Sequence, residues 1–195
     1  MPPESVGLVE ITEADHGVIL DIRYARTDNF MGKVVYGRPV CWLHRDAELL
    51  LRSAVDLAER QGWILKVFDG FRPSEAQWAL WDHTPDPAFV SDPRRGSPHS
   101  MGAAIDLTLV DRATGEELEM GTDFDDLRPL SYHGNTEISV TAQHNRLLLM
   151  GLMTTAGWDF FRNEWWHYQL FSPRGKYPVL SDTAAGTQMM PNQAA

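Results

Sequence analysis

Ile64-Leu65-Lys66-Val67-Phe68-Asp69-Gly70-Phe71-Arg72-Pro73-Ser74 runs from an apolar, β-branched stretch through a glycine turn to a serine that can open a helix. The reading is a strand over Ile64–Phe68, a turn at Gly70, and a helix from Ser74 in which the Ser74 hydroxyl and Gln77, three residues on, form a capping box. Trp78, Leu80 and Trp81 follow on that helix. Upstream, about Asp46 to Gln61 reads as a helix with Leu49, Leu50, Val55, Leu57 and Ala58 on or near one face. Downstream, about Val140 to Ala156 reads as another, carrying Leu147, Leu148, Met150, Leu152 and Met153 into the core and stopping at Gly157. Val18–Ile22, Ala104–Leu109 and Trp165–Phe171 are further strands, each β-branched or aromatic and bounded by turn residues. Helices and strands interleave without regular alternation, which predicts an α+β fold: a single domain with an antiparallel or mixed sheet and helices packed against it.

At 195 residues and 43% hydrophobic content the chain can bury one sizeable core. No repeat or linker divides it, and the composition shifts only near Ser181, where small polar residues begin. The expected organisation is one domain over 1–180 and a flexible tail over 181–195. With 17 Lys+Arg against 27 Asp+Glu and no basic stripe, a nucleic-acid partner is disfavoured. No stretch resembles a signal peptide or a membrane span, so no membrane partner is expected and the expected location is the cytoplasm. The sole cysteine, Cys41, excludes an internal disulfide and sits in apolar Val40-Cys41-Trp42-Leu43, where a buried core role is expected.

Ser97-Pro98-His99-Ser100-Met101-Gly102-Ala103-Ala104-Ile105-Asp106 sets a histidine in a loop and an aspartate inside an apolar strand. A buried carboxylate needs a cation, a hydrogen-bond cluster or a metal beside it. In one uninterrupted strand His99 and Asp106, seven apart, would face opposite ways, and a turn at Gly102 can cancel that parity. Glu164-Trp165-Trp166-His167-Tyr168 adds a second acid and histidine, with Glu164 expected at a bend where the strand starts. Two histidines and a carboxylate leave one position of a tetrahedral zinc open for water, whereas closed structural sites are rich in cysteine, of which this chain has one. Glu164 is then placed to take the water proton and return it to a leaving amine. Arg72, at the turn before the helix, reads equally as an oxyanion-stabilising group or as a surface ion pair. His16, His44, His83, His133 and His144 read as ordinary hydrogen-bonded or exposed residues.

Together these stretches resemble the D-alanyl-D-alanine dipeptidases of the vancomycin-resistance type, within a wider group of zinc D,D-peptidases. Asp69-Gly70-Phe71-Arg72-Pro73, Asp21-Ile22-Arg23-Tyr24-Ala25 with Asp28-Asn29-Phe30, and Met120-Gly121-Thr122-Asp123-Phe124-Asp125 also look like family blocks, so the resemblance runs from about Asp21 to Phe171. It implies that His99, Asp106 and His167 bind one zinc ion, that Glu164 is the base, and that Arg72 stabilises the transition state. It further implies that Asp125 holds the substrate ammonium, with Ser97 and Tyr24 as additional substrate contacts. The expected partner is therefore a small dipeptide; the chain says nothing about oligomeric state. Two rivals are a D,D-carboxypeptidase acting on longer cell-wall peptides and a zinc-stabilised binding domain without turnover.

Overall fold

The structure, a computed structural model, describes residues 6–183 and 188–191. In chain order its elements are strand β1 (Leu8–Ile11), a one-turn helix α1 (Glu13–His16), β2 (Ile19–Leu20), β3 (Cys41–His44), α2 (Arg45–Glu59), β4 (Trp63–Asp69) and α3 (Ser74–His83). Then come β5 (Ala104–Asp111), α4 (Val140–Thr155), β6 (Asp159–Phe160) and β7 (His167–Gln169). The main sheet has the order β2-β4-β5-β7-β6, with β2 parallel to β4 and the other neighbours antiparallel. β1 and β3 form a separate antiparallel pair. The result is a single α+β domain with a mixed sheet, as the irregular alternation of elements predicts.

Alternation along the two central strands separates core from site. Leu65 pairs with Leu109 and Val67 with Leu107, and with Ile105 these fully buried side chains make an apolar layer. Each contributes about 1.5–3 kcal/mol by leaving water. Helix α2 packs against β4 and α4, burying Ala47, Leu51, Ala54, Val55 and Ala58. Leu49 points to solvent, because only one member of the Leu49-Leu50-Leu51 run can face the core squarely. Leu147 on α4 is likewise exposed, while Leu149, Leu152 and Met153 take the core face. Cys41 is buried at the start of β3, as its apolar neighbours suggest.

The expected capping box does not form. Pro73 occupies the N-cap of α3, so Ser74 is already the first helical residue and its hydroxyl turns to Glu75. Gln77 is thereby free for another task. The strands expected at Val18–Ile22 and Trp165–Phe171 are regular only over Ile19–Leu20 and His167–Gln169. Within the expected tail, 184–187 and 192–195 lie outside the described residues. The part described is held rather than loose: Met189 is fully buried and the Asp182 carboxylate accepts the backbone N–H groups of Met189 and Met190 at 2.6 and 3.2 Å.

Candidate active site

One row of polar side chains crosses the middle of the sheet. Asp106 on β5 lies opposite His167 on β7, and opposite Asp69 on β4. The last pairing depends on an irregularity between Val67 and Asp69. In unbroken register Phe68 would sit across from Asp106. The extra residue at this bulge brings Asp69 onto the Asp106 face and leaves Phe68 buried against Phe124.

His99 reaches the same row from a 3-10 turn, His99–Met101, ended by Gly102 in the left-handed conformation at φ 66°. The turn removes the parity conflict between His99 and Asp106, because β5 starts only at Ala104. Glycine is required at 102. A Cβ there would lie 2.7 Å from Leu8 Cδ2 and 2.9 Å from the His44 nitrogen, whose N–H donates to the Gly102 carbonyl. Gly70 has the same problem, since its Cβ would fall 2.7 Å from Cys41 Sγ. That close approach of the turn to β3 leaves the Gly70 carbonyl aimed at His99.

The hydrogen bonds at the outer edges of the two imidazoles decide what points inward. His99 Nδ1 lies 2.8 Å from the Gly70 carbonyl, which can only accept, so Nδ1 carries the proton and Nε2 presents a lone pair. His167 Nε2 lies 3.2 Å from Gln169 Oε1, which assigns its proton there and its inward lone pair to Nδ1. His99 Nε2 and His167 Nδ1 are 3.1 Å apart, and Asp106 Oδ1 is 3.3 and 3.1 Å from them. Three lone-pair donors thus converge with no proton between them. Tetrahedral bonds of the lengths usual for zinc place neighbouring donors roughly 3.3–3.4 Å apart, so the three separations fit a small metal cation. Burial opposes ionisation of Asp106, and with lone pairs rather than protons on the two imidazoles it is a cation among the three that would keep the carboxylate charged. Burial lowers His167, keeping the imidazole neutral, as a ligand must be.

Glu164 stands in the turn just before β7, at the bend expected for it, with Oε2 3.8 Å from His167 Nδ1. It is buried, and burial, reinforced by the charges of Asp106 and Asp125, raises its carboxyl well above the usual range. A carboxyl raised in this way takes a proton more readily than an ordinary carboxylate and can hand it on. Arg72 is buried too, and the surface ion pair considered for it is not what forms. Its Nε and Nη2 donate to Asp69 Oδ2 at 2.9 and 2.8 Å, Nη1 donates to Gln77 Oε1 at 3.0 Å, and Nη2 lies 3.6 Å from Asp106 Oδ2. The guanidinium sits over the Tyr24 ring, 5.0 Å from its centre.

Asp125 completes the wall. Its backbone is in the left-handed region at φ 62°, unusual for a non-glycine residue. Its Oδ2 is buried with no hydrogen-bond partner, and Tyr24 lines the same cavity. Burial, with the nearby Asp106 charge, pushes Asp125 up to about 8, against the pull of Arg72 and Tyr24. Ser97 Oγ is a second buried atom without a partner. Tyr24, Ser97, Arg72, Asp125, Glu164 and the three converging ligands all line one cavity of about 120 Å³. Every residue singled out from the sequence for this site therefore meets the others here.

Three neighbours were not singled out from the sequence for this site. Asp69 pins Arg72 and also accepts the Tyr36 hydroxyl at 3.0 Å. Gln77 holds Arg72 on one side and donates to the Ser91 carbonyl at 2.8 Å on the other, tying a wall loop to the centre. Gln169 sets the His167 tautomer. Its spacing of two from His167 is the one available signal, since i and i+2 share a strand face.

Comparison with known proteins gives the family of the chain. Residues 4–183 match the model of the peptidase family M15, described as D-ala-D-ala dipeptidase. The chain is 38% identical over 179 residues to the D-alanyl-D-alanine dipeptidase of Escherichia coli (strain K12), covering 92% of each protein. It is 37% identical over 185 residues to that of Enterococcus faecium (85% of this chain, 92% of the relative). Identity is 34% over 184 residues to that of Enterococcus faecalis (strain ATCC 700802 / V583), covering 84% and 91%.

Proposed function

Because this chain belongs to the D-Ala-D-Ala dipeptidase family and is a peptidase, we propose that it hydrolyses D-alanyl-D-alanine, or a close D,D-dipeptide, at one zinc ion held by His99 Nε2, His167 Nδ1 and Asp106. The observation that carries this reading is the convergence of three unprotonated donors at 3.1–3.3 Å in a cavity that also holds a buried glutamate. Charge supports it as well. Asp106, Asp125 and Glu164 line the cavity beside the buried guanidinium of Arg72, and the raised carboxyls of Asp125 and Glu164 mark an excess of acid that a divalent cation and a substrate ammonium would balance.

When bound, zinc supplies Lewis acidity, acidifying a water and polarising the scissile carbonyl. Glu164 accepts the proton of the attacking water, whose oxygen bonds to the acyl carbon. The same carboxyl then protonates the departing nitrogen as the C–N bond breaks, so one water is consumed and two free amino acids leave. Arg72, held rigid by Asp69 and Gln77, presents fixed positive charge to the oxygen that becomes negative. Asp125, with an oxygen that nothing in the protein satisfies, pairs with the free ammonium. That pairing favours the dipeptidase reading over a carboxypeptidase acting on longer peptides, and the metal-side placement of Glu164 and Arg72 favours turnover over mere binding. A cytoplasmic location, expected with a single cysteine, is part of the same proposal.

A hydrolysis panel on the zinc-loaded protein tests it. D-Ala-D-Ala should be cleaved at least about a thousandfold more efficiently than its N-acetyl form or peptides extended at the amino end, because blocking the amine leaves Asp125 desolvated without a partner. The L,L isomer should be a poor substrate. Equal cleavage of long acylated peptides would instead establish the carboxypeptidase.

A further inference from the structure

A dipeptide is a zwitterion whose charged ends lie about 7 Å apart when extended, so a wall that satisfies the ammonium cannot also satisfy the carboxylate. Two guanidinium groups line the cavity, Arg72 and Arg174. Arg72 is already committed to Asp69 and stands 3.6 Å from Asp106. Arg174 is different. Among the described residues it has no carboxylate within ion-pair distance, and its Nε donates to the Gly96 carbonyl at 2.9 Å. That bond anchors the side chain beside Ser97, whose hydroxyl is buried in the same cavity without a partner. Nε is engaged, which leaves the two terminal nitrogens as a fork of the geometry that suits a carboxylate. Partial burial, and after it the like charge of Arg95, make the Arg174 guanidinium easier to deprotonate than usual. Arg174 is thus an exposed cation at the cavity rim with no carboxylate partner among the described residues, so its terminal nitrogens are open to an anion bound in the cavity.

We propose that Arg174, with the Ser97 hydroxyl beside it, receives the free α-carboxylate of the substrate's C-terminal residue and so makes the enzyme selective for peptides with an unblocked carboxyl end. The inference rests on the dipeptidase reading. Under it Asp125 and Arg174 measure the dipeptide between them: one end is tested for a free amine, the other for a free acid, and the scissile bond is left over the His99, Asp106 and His167 cluster. Arg174 is a specificity residue here, with no part in proton transfer.

The rival is that Arg174 only staples its loop to Gly96. The two are separated by comparing kcat/KM for D-Ala-D-Ala and for its C-terminal amide in the wild type, Arg174→Gln and Arg174→Lys, with zinc content and thermal midpoint measured on each. The wild type should prefer the acid by roughly ten- to a hundredfold, the worth of a charge-assisted hydrogen bond. Arg174→Gln should lose most of that preference through a higher KM for the acid, with kcat and the amide reaction nearly unchanged. Arg174→Lys keeps the charge without the fork and should fall between them. A loss shared equally by acid and amide in Arg174→Gln, or a wild type indifferent to the amide, overturns the carboxylate role while leaving the dipeptidase reading intact. A zinc-loaded wild type inert toward both substrates overturns that reading and this inference with it.

Discussion

Replacing Asp69 by Asn probes the part of the site that lies behind the reacting groups. Asp69 Oδ1 accepts the Tyr36 hydroxyl at 3.0 Å while Oδ2 accepts two Arg72 N–H groups at 2.9 and 2.8 Å, in a position only 1% exposed. Asparagine offers one acceptor oxygen: turned to Tyr36 it leaves Arg72 against an amide N–H, donor against donor, and turned to Arg72 it makes Tyr36 accept instead of donate and still removes the charge that pairs with the guanidinium. Breaking a buried ion pair from one side costs about 3–5 kcal/mol. Part of that is returned, because burial raises the Asp69 carboxyl even with Arg72 beside it, so the carboxylate itself is costly to keep charged. A net loss of about 2–4 kcal/mol remains, or about 5–15 °C in Tm for a domain of this size. The catalytic loss should be larger in kind. Without its two charged contacts Arg72 is no longer held toward the developing oxyanion, and kcat should fall at least about a hundredfold. Zinc occupancy should change little, since His99 keeps its bond to the Gly70 carbonyl. Thermal unfolding, metal analysis and single-turnover kinetics on one preparation give all three numbers. Tyr36→Phe is the control: it removes a donor and not the acceptor, and should cost about 1 kcal/mol while sparing kcat. An Asp69→Asn protein with wild-type kcat would refute the idea that Asp69 positions Arg72.

The remaining predictions concern the proton carrier, the tautomer and the amine site. Glu164→Gln should retain zinc yet lose at least about a hundredfold in kcat, measured against metal content; loss of the metal would make Glu164 a ligand instead. Gln169→Leu removes the acceptor that fixes the His167 proton on Nε2, and should weaken zinc binding by about 10–100-fold in a competition titration. For the free dipeptide, kcat/KM should fall as pH drops, because Asp125, pushed up to about 8 by burial, takes up a proton and can no longer pair with an ammonium. A bound cation pulls that value down, so the break lies at or below 8. Asp125→Asn should flatten this limb of the profile and narrow the gap between free and acetylated substrates.

The core elements were legible because their periodicities are local. The helices around Asp46–Gln61 and Val140–Ala156 and the strands Ile64–Phe68 and Ala104–Leu109 appear within a residue or two of their expected ends. β1, β3 and β6 are too short to show a period, and Leu8–Ile11 is a strand only because Cys41–His44 lies against it. Which leucine of a run faces the core was also beyond local reading, as Leu49 and Leu147 show. The site itself was legible to the extent that its residues carry unusual chemistry in unusual places, such as Asp106 within an apolar strand. What could not be read was the support. Asp69 joins Asp106 through a bulge, and Gln77 serves Arg72 because Pro73 has taken the cap of α3. Both follow from how the chain closes in three dimensions.

The central claim is that His99, Asp106 and His167 form a metal centre on which peptide hydrolysis depends, and titrating metal-free protein with zinc while following D-Ala-D-Ala hydrolysis tests it most directly. Three ligands and an open position predict that activity rises in step with zinc and levels off at about one ion per chain. His99→Ala, Asp106→Ala and His167→Ala should each shift the rise to higher zinc and lower its ceiling. Full activity in protein stripped of metal and kept in excess chelator would contradict the account at its root.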